Sequence, residues 1–199
     1  MTDPKSPNNS WRATLRPFLD SRVIAMCFLG FSAGIPLLLI FSSLSLWLRE
    51  AGVDRGAVTF FSWAALGYSF KFVWAPLIDR LPLPLLTRWL GRRRAWLLVA
   101  QLAIASAILL MAAIAPAQGG NSLTHMALAA VLLGFSAATQ DIVIDAYRIE
   151  AAETSLQAMM SATYIAGYRV GMVVSGAGAL YLAAALGSTA EHYVFAAWR

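Results

Sequence analysis

The chain has 199 residues, of which 59% are hydrophobic and only 13% charged. Soluble domains run at about 45–50% apolar and roughly 25% charged, so a disordered chain is excluded and a soluble globular domain is disfavoured. A single Cys excludes a disulfide scaffold and a thiolate metal cluster. The net charge of +5 sits mostly between long apolar runs, which points to membrane topology and away from nucleic acid.

A tail over residues 1–22 precedes the first apolar run. Five runs reach the roughly 20 residues that a spanning helix needs. They cover about 23–48, 58–78, 95–115, 123–147 and 158–186. All are too long for core strands and none alternates like a barrel strand. In lipid the backbone must satisfy its own hydrogen bonds, so each run is expected as a helix. The first is too long for the h-region of a cleaved signal and reads as an anchor that stays. Beyond the fifth run, Val194–Trp198 is too short to cross and reads as the start of a sixth span. The expected fold class is therefore an all-α membrane protein, truncated before its sixth helix.

Loop charges orient the spans. Lys5, Arg12, Arg16 and Arg22, the loop arginines at 80, 88, 92, 93 and 94, and Arg148 make ten basic residues on one side. Arg49, Arg55 and Arg199 make three on the other. This places the N-terminus and the second loop in the cytoplasm. The third loop, APAQGGNSLT, has no charge and suits the outer face.

An internal repeat accompanies this topology. Leu29-Gly30-Phe31-Ser32-Ala33 recurs as Leu133-Gly134-Phe135-Ser136-Ala137, and Gly67-Tyr68 recurs as Gly167-Tyr168. Span one thus aligns with span four, and span two with span five. A three-helix unit repeated in inverted orientation is the plan of one half of a major-facilitator transporter.

Four charged residues fall inside the spans: Lys71, Asp141, Asp145 and Arg169. Each costs about 2.5–3.5 kcal/mol at a helix centre on insertion scales, so mutual pairing is expected. Lys71 and Asp141 lie about 12–14 Å from the cytoplasmic edge, and Arg169 lies near the midplane. Asp141, Asp145 and Arg148 share one face of span four, with Gln140 flanking it. Two carboxylates one turn apart repel, which is the physics that a proton-coupled carrier needs. A static ion-pair network joining spans two, four and five is the alternative. Arg148 itself reads as an interfacial anchor.

Weaker candidates are mostly packing features. Gly30 and Gly34 form GxxxG, and Gly167, Gly171, Ser175 and Ala179 form a small-residue ridge, both suited to close helix contact. Pro36 either kinks span one or unwinds it locally over Gly34-Ile35-Pro36. Trp47, Trp74, Trp89 and Trp96 lie near span ends and read as interface anchors. Trp63, Tyr68 and Tyr168 lie deeper, where packing or stacking on a sugar would account for them. His125 and His192 lack metal-ligand partners, and no cofactor or metal is expected. No His-Glu-x-x-His helix or Gly-x-Ser-x-Gly elbow is present, which argues against an intramembrane enzyme.

The second loop carries Asp79-Arg80 and then Gly91-Arg92-Arg93-Arg94, separated by the Pro-containing LPLPLLTRWL. Its basic residues suit anionic lipid heads, and Asp79 at a helix end suits a gate. Asp-Arg followed by Gly-Arg-Arg between spans two and three resembles the signature loop of the major facilitator superfamily. Two departures stand out: Ala75 replaces the usual leading Gly, and about ten residues are inserted. The runs FSAGIPLLL, YSFKFVWAPLIDR, GRRRAWLL, SAATQDIVIDAYRIE and GYRVGMVVSGAGAL resemble more narrowly the muropeptide permease family, known as AmpG.

That resemblance implies a bacterial inner-membrane protein importing anhydro-muropeptides with protons, without a cofactor, and only the first half of the full transporter. Lys71, Arg169, Gln140 and Tyr168 would form the substrate and charge cluster, with Asp141 or Asp145 carrying the proton. Asp79, Arg80, Gly91, Arg92, Arg93 and Arg94 would form the gating loop. Membrane lipids and the missing C-terminal half would be partners. The alternatives are a carrier of another anionic metabolite such as acetyl-coenzyme A, or a non-transporting remnant or subunit.

Overall fold

A computed structural model describes residues 16–61, 66–114 and 121–186. The start of the tail, Trp63, most of the uncharged third loop and the start of the expected sixth span lie outside them. Among the described residues every regular element is helical. A short 3-10 turn, Arg16–Leu19, leads into Asp20. Asp20 caps the first helix by accepting the Arg22 N–H at 2.8 Å, satisfying one of the donors that a helix start leaves free.

Helix α1 then runs through Ser21–Glu50. Pro36 cannot donate an amide hydrogen, yet the helix neither unwinds nor stops there. Instead Leu39–Ser43 form a π turn, in which the Leu44 N–H reaches back to the Leu39 carbonyl. This wide turn absorbs the disturbance, so the local unwinding considered for Gly34-Ile35-Pro36 does not occur.

The second apolar run is not one uninterrupted helix. Its described parts are α2 (Arg55–Phe61), α3 (Leu66–Ser69) and α4 (Lys71–Arg80). Phe70 interrupts the last two, and the Val73 N–H takes the Phe70 carbonyl three residues back. Pro76 further removes the donor that would have met the Phe72 carbonyl. Lys71 is thereby the first residue of α4.

The remaining helices are α5 (Leu86–Leu90), α6 (Arg92–Ala113), α7 (Asn121–Ala151) and α8 (Thr154–Leu186). Among the described helices, α1, α6, α7 and α8 are long and apolar enough to cross a membrane. Large apolar side chains such as Phe28, Leu109 and Leu128 are exposed along them, as lipid contact requires and water disfavours. The chain is a multi-pass membrane protein.

Two pairings build the bundle. Helix α1 lies along α8, and α7 packs on α6 and also on α3 and α4. Spans one and five thus pair as spans four and two do, which is the correspondence the internal repeat requires. Away from the charged loop, Ile40, Leu44, Leu48, Met111, Met126 and Leu133 form the larger core. Near that loop a smaller one gathers Val23, Met26, Ala33, Ile144 and Met160.

The α1–α8 contact is made by backbone against backbone. A Cβ on Gly30 would collide with the Tyr164 carbonyl, and one on Gly34 with that of Tyr168. Reciprocally, Gly167 faces the Cys27 carbonyl and Gly171 that of Phe31. Both small-residue motifs of the sequence therefore serve one crossing. Gly178 on the same helix meets nothing within 4 Å. Gly30→Ala and Gly167→Ala should each destabilise the purified protein by about 1–3 kcal/mol, the range for overpacking. Gly178→Ala should be neutral or stabilising, since Ala is the better helix former. Thermal unfolding in detergent checks all three.

Candidate functional site

The close crossing holds Tyr164 and Tyr168, one helical turn apart on α8, beside α7. Their rings lie 6.0 Å apart between centroids. The Tyr164 hydroxyl donates to Asp141 Oδ1 at 3.1 Å. One turn further along α7, Asp145 is paired on both sides. Lys71 Nζ approaches Oδ2 at 3.8 Å, and the Arg148 guanidinium approaches Oδ1 at 3.3 Å. Arg148 also donates to Ser161 Oγ of α8 at 2.6 Å, and Ser161 in turn donates to the Gln157 carbonyl. Helices α4, α7 and α8 thus meet through one polar cluster, open enough that the Asp145 side chain is half-exposed.

Gln140 sits beside this cluster and is 0% exposed, with neither end of its amide hydrogen-bonded among the described residues. The neighbouring Thr139 hydroxyl is in the same position. Buried polar groups are nearly always paired, so these atoms call for partners that the described residues do not supply.

The cluster differs from the expected quartet in one member. Arg169 is exposed and joins no ion pair among the described residues, whereas Arg148, read as an interfacial anchor, pairs with Asp145. Helix geometry gives the reason. Tyr164 and Tyr168 share the face turned to α7, and Arg169 lies about 100° round the helix from Tyr168. Arg148 stays on the Asp141–Asp145 face at i+7 and reaches back to Asp145 across one turn. Tyr164 and Ser161 were missed by sequence reasoning; their spacing from Tyr168, at i−4 and i−7, was the available signal. Trp63 and the Tyr68 side chain lie outside the described residues.

A second polar assembly ties the helix ends at the charged loop. Arg93 donates to Asp79 at 2.5 Å and, through two nitrogens, to both oxygens of Glu150 at 2.5 and 3.1 Å. One guanidinium fork thereby joins the ends of α4, α6 and α7. Gly91 has φ +79°, a left-handed conformation that glycine adopts without strain, and it lets α6 begin at Arg92. Arg80, Arg92 and Arg94 are exposed and in no ion pair among the described residues. Ala75, standing where the superfamily loop usually has Gly, packs against Ile78, Ile142 and Val143. Glu150, a residue that the sequence analysis does not single out, is the third member of this clamp.

Comparison with known proteins fits this geometry. Residues 23–123 match the family model described as acetyl-coenzyme A transporter 1. A Rickettsia conorii protein named AmpG 4 is 42% identical over 171 residues, which is 86% of this chain and 40% of that protein. The anhydromuropeptide permease of Escherichia coli K12 is 39% identical over 169 residues, 85% of this chain and 33% of that protein. The chain therefore spans between a third and two fifths of these relatives. With the family model covering residues 23–123 and these relatives matching over most of the chain, the protein belongs to this transporter family and is similar within it to the AmpG permeases.

Proposed function

We propose that the chain forms the first half of a proton-coupled secondary transporter that imports anhydro-muropeptides across the bacterial inner membrane. Its N-terminus and the Arg93 clamp would face the cytoplasm, in keeping with ten basic residues on that side against three on the other. The carrying observation is the cluster of Lys71, Asp145, Arg148, Asp141 and Tyr164 inside the spans. Charged groups at membrane depth face a bundle interior or a water-filled cavity, because lipid contact is too costly. The similarity to the Escherichia coli anhydromuropeptide permease supports the cargo.

Charge arithmetic supplies the coupling. With both carboxylates ionised, Asp141 and Asp145 cancel Lys71 and Arg148. One added proton on either Asp leaves the cluster at +1. A carboxylate-bearing cargo then binds better to the protonated cluster, and by linkage the proton binds better when cargo is present. Tyr164 holds Asp141 in place, while Gln140, fully buried next to it in sequence, would reach the cargo only in a more open state of the bundle. Arg169, exposed and in no ion pair among the described residues, would meet a cargo carboxylate from α8.

Alternating access needs one half to rock against another. Transport therefore requires, in addition, the length of the relatives that this chain does not span. The Arg93–Asp79–Glu150 clamp would lock one face of the bundle and open when its ion pairs part. A second reading keeps the same carrier with acetyl-coenzyme A as cargo, favoured by the family model over residues 23–123.

The test is uptake of labelled anhydro-muropeptide in a permease-deficient strain. The chain is expressed alone and joined to the part of the Escherichia coli permease that it does not span. Uptake should appear only in the joined form and vanish with an uncoupler. Uptake by the chain alone would refute the need for a second half, and competition by acetyl-coenzyme A would favour the second reading. In the joined form, Asp141→Asn and Asp145→Asn should each lower uptake about tenfold or more, equivalent to about 1.4 kcal/mol, at unchanged amounts of folded protein. Equal loss of folded protein would mark the cluster as a static support. Arg93→Gln should weaken the clamp and lower unfolding stability together with uptake, whereas Arg94→Gln should leave stability unchanged.

A further inference from the structure

The segment between Asp79 and Arg93 takes no part in the polar cluster, yet it is firmly built. The Asp79–Arg93 bond closes its base. Trp96 Nε1 donates to the Leu81 carbonyl at 2.9 Å, and the Leu83 N–H donates to the Thr87 hydroxyl at 2.8 Å. Leu85 holds φ at +68°, the one non-glycine among the described residues with positive φ. That conformation is costly for a residue with a Cβ, so it marks a turn that the surrounding bonds impose.

What this frame presents is apolar. Leu81, Leu85 and Trp89 are 45%, 71% and 87% exposed, at four-residue intervals. Arg88 and Arg92, also four apart and exposed, flank them without an ion pair among the described residues. Beside the segment, a cleft of about 230 Å³ opens between α4, α6 and α7, lined by Trp74, Leu77, Trp96 and Phe135. Trp96 belongs to both, since it anchors Leu81 and walls the cleft. The segment joins the ends of two membrane-embedded stretches, so it stands at the level of the lipid headgroups.

We propose that residues 80–92 and this cleft form a binding site for an anionic phospholipid. Arg88 and Arg92 meet its phosphate, an acyl chain lies in the cleft, and Leu85 and Trp89 enter the leaflet. Charge selects the occupant: Arg88 and Arg92 are in no ion pair among the described residues, Arg92 stands one turn before Trp96 of the apolar cleft, and an anionic lipid supplies both complements. Trp at the headgroup level and basic residues beside it are the usual marks of an interfacial anchor. Arg93 contributes nothing to lipid charge, because Asp79 and Glu150 already occupy it. The proposal rests on the multi-pass membrane reading and is independent of any transport activity.

The experiment uses the full chain purified from mixed micelles of phosphatidylglycerol and phosphatidylcholine, with retained lipid counted by native mass spectrometry. The wild type should retain phosphatidylglycerol in preference to phosphatidylcholine. Arg88→Gln and Arg92→Gln should each reduce that preference about fivefold, as expected for one basic residue at an anionic surface. Arg55→Gln, an exposed basic residue at the opposite end of the bundle, should leave it unchanged. Free glycerol phosphate should fail to displace the lipid, which separates a lipid site from a phosphate site. The fluorescence difference between wild type and Trp89→Phe should be quenched by brominated phosphatidylglycerol and spared by aqueous iodide. Trp89 is so exposed that this variant should fold normally. An unchanged preference in the Arg88→Gln/Arg92→Gln double variant overturns the proposal. So do an equal loss in Arg55→Gln, displacement by glycerol phosphate, or quenching of Trp89 by iodide alone.

Discussion

The close approach of α1 and α8 governs the rest of the bundle. Lipid gives no hydrophobic drive for two apolar helices to meet, so their attraction must come from packing at short range. Gly30, Gly34, Gly167 and Gly171 supply that range by letting each helix press on carbonyls of the other. The carbonyls that Gly30 and Gly34 meet belong to Tyr164 and Tyr168. The packing constraint is therefore also a positional one: it sets where the Tyr164 hydroxyl stands relative to Asp141. A wider crossing would keep the helices and lose the alignment.

Polar groups within this frame obey a second economy. Asp145 sits between Lys71 and Arg148, and Arg93 sits between Asp79 and Glu150. One ion flanked by two of opposite sign recurs with the signs exchanged. The first assembly lies within the spans and is open at Asp145, while the second stitches helix ends together through a forked guanidinium. The two differ in geometry: Asp145 meets two separate cations, one through each oxygen, whereas Arg93 grips Glu150 through two parallel hydrogen bonds.

Much of this was legible in the chain before any coordinates. Long apolar runs announce spanning helices because lipid leaves the backbone no other partner. The glycine spacing announced the crossing, and the rarity of charge at membrane depth singled out Lys71, Asp141 and Asp145. Three things were hidden for physical reasons. Hydropathy averages over a window, so it could not see that the second run breaks at Phe70. Depth alone could not separate Arg169 from Arg148, because pairing depends on which way a side chain faces round its helix. Tyr164 and Glu150 carry their roles through contacts with another helix, and a single sequence does not display such contacts.

The π turn at Leu39–Ser43 acts on α1 as a phase shifter. Before it, the buried stripe runs through Val23, Met26, Gly30 and Ala33; after it, through Leu44, Trp47 and Leu48. The first stripe belongs to the core near the basic loop and the second to the core at the opposite end. One rod thus meshes with two differently clocked sets of neighbours, as a vernier offsets two scales. The wide turn is what reconciles them, so the length of α1 in that stretch is as constrained as its composition.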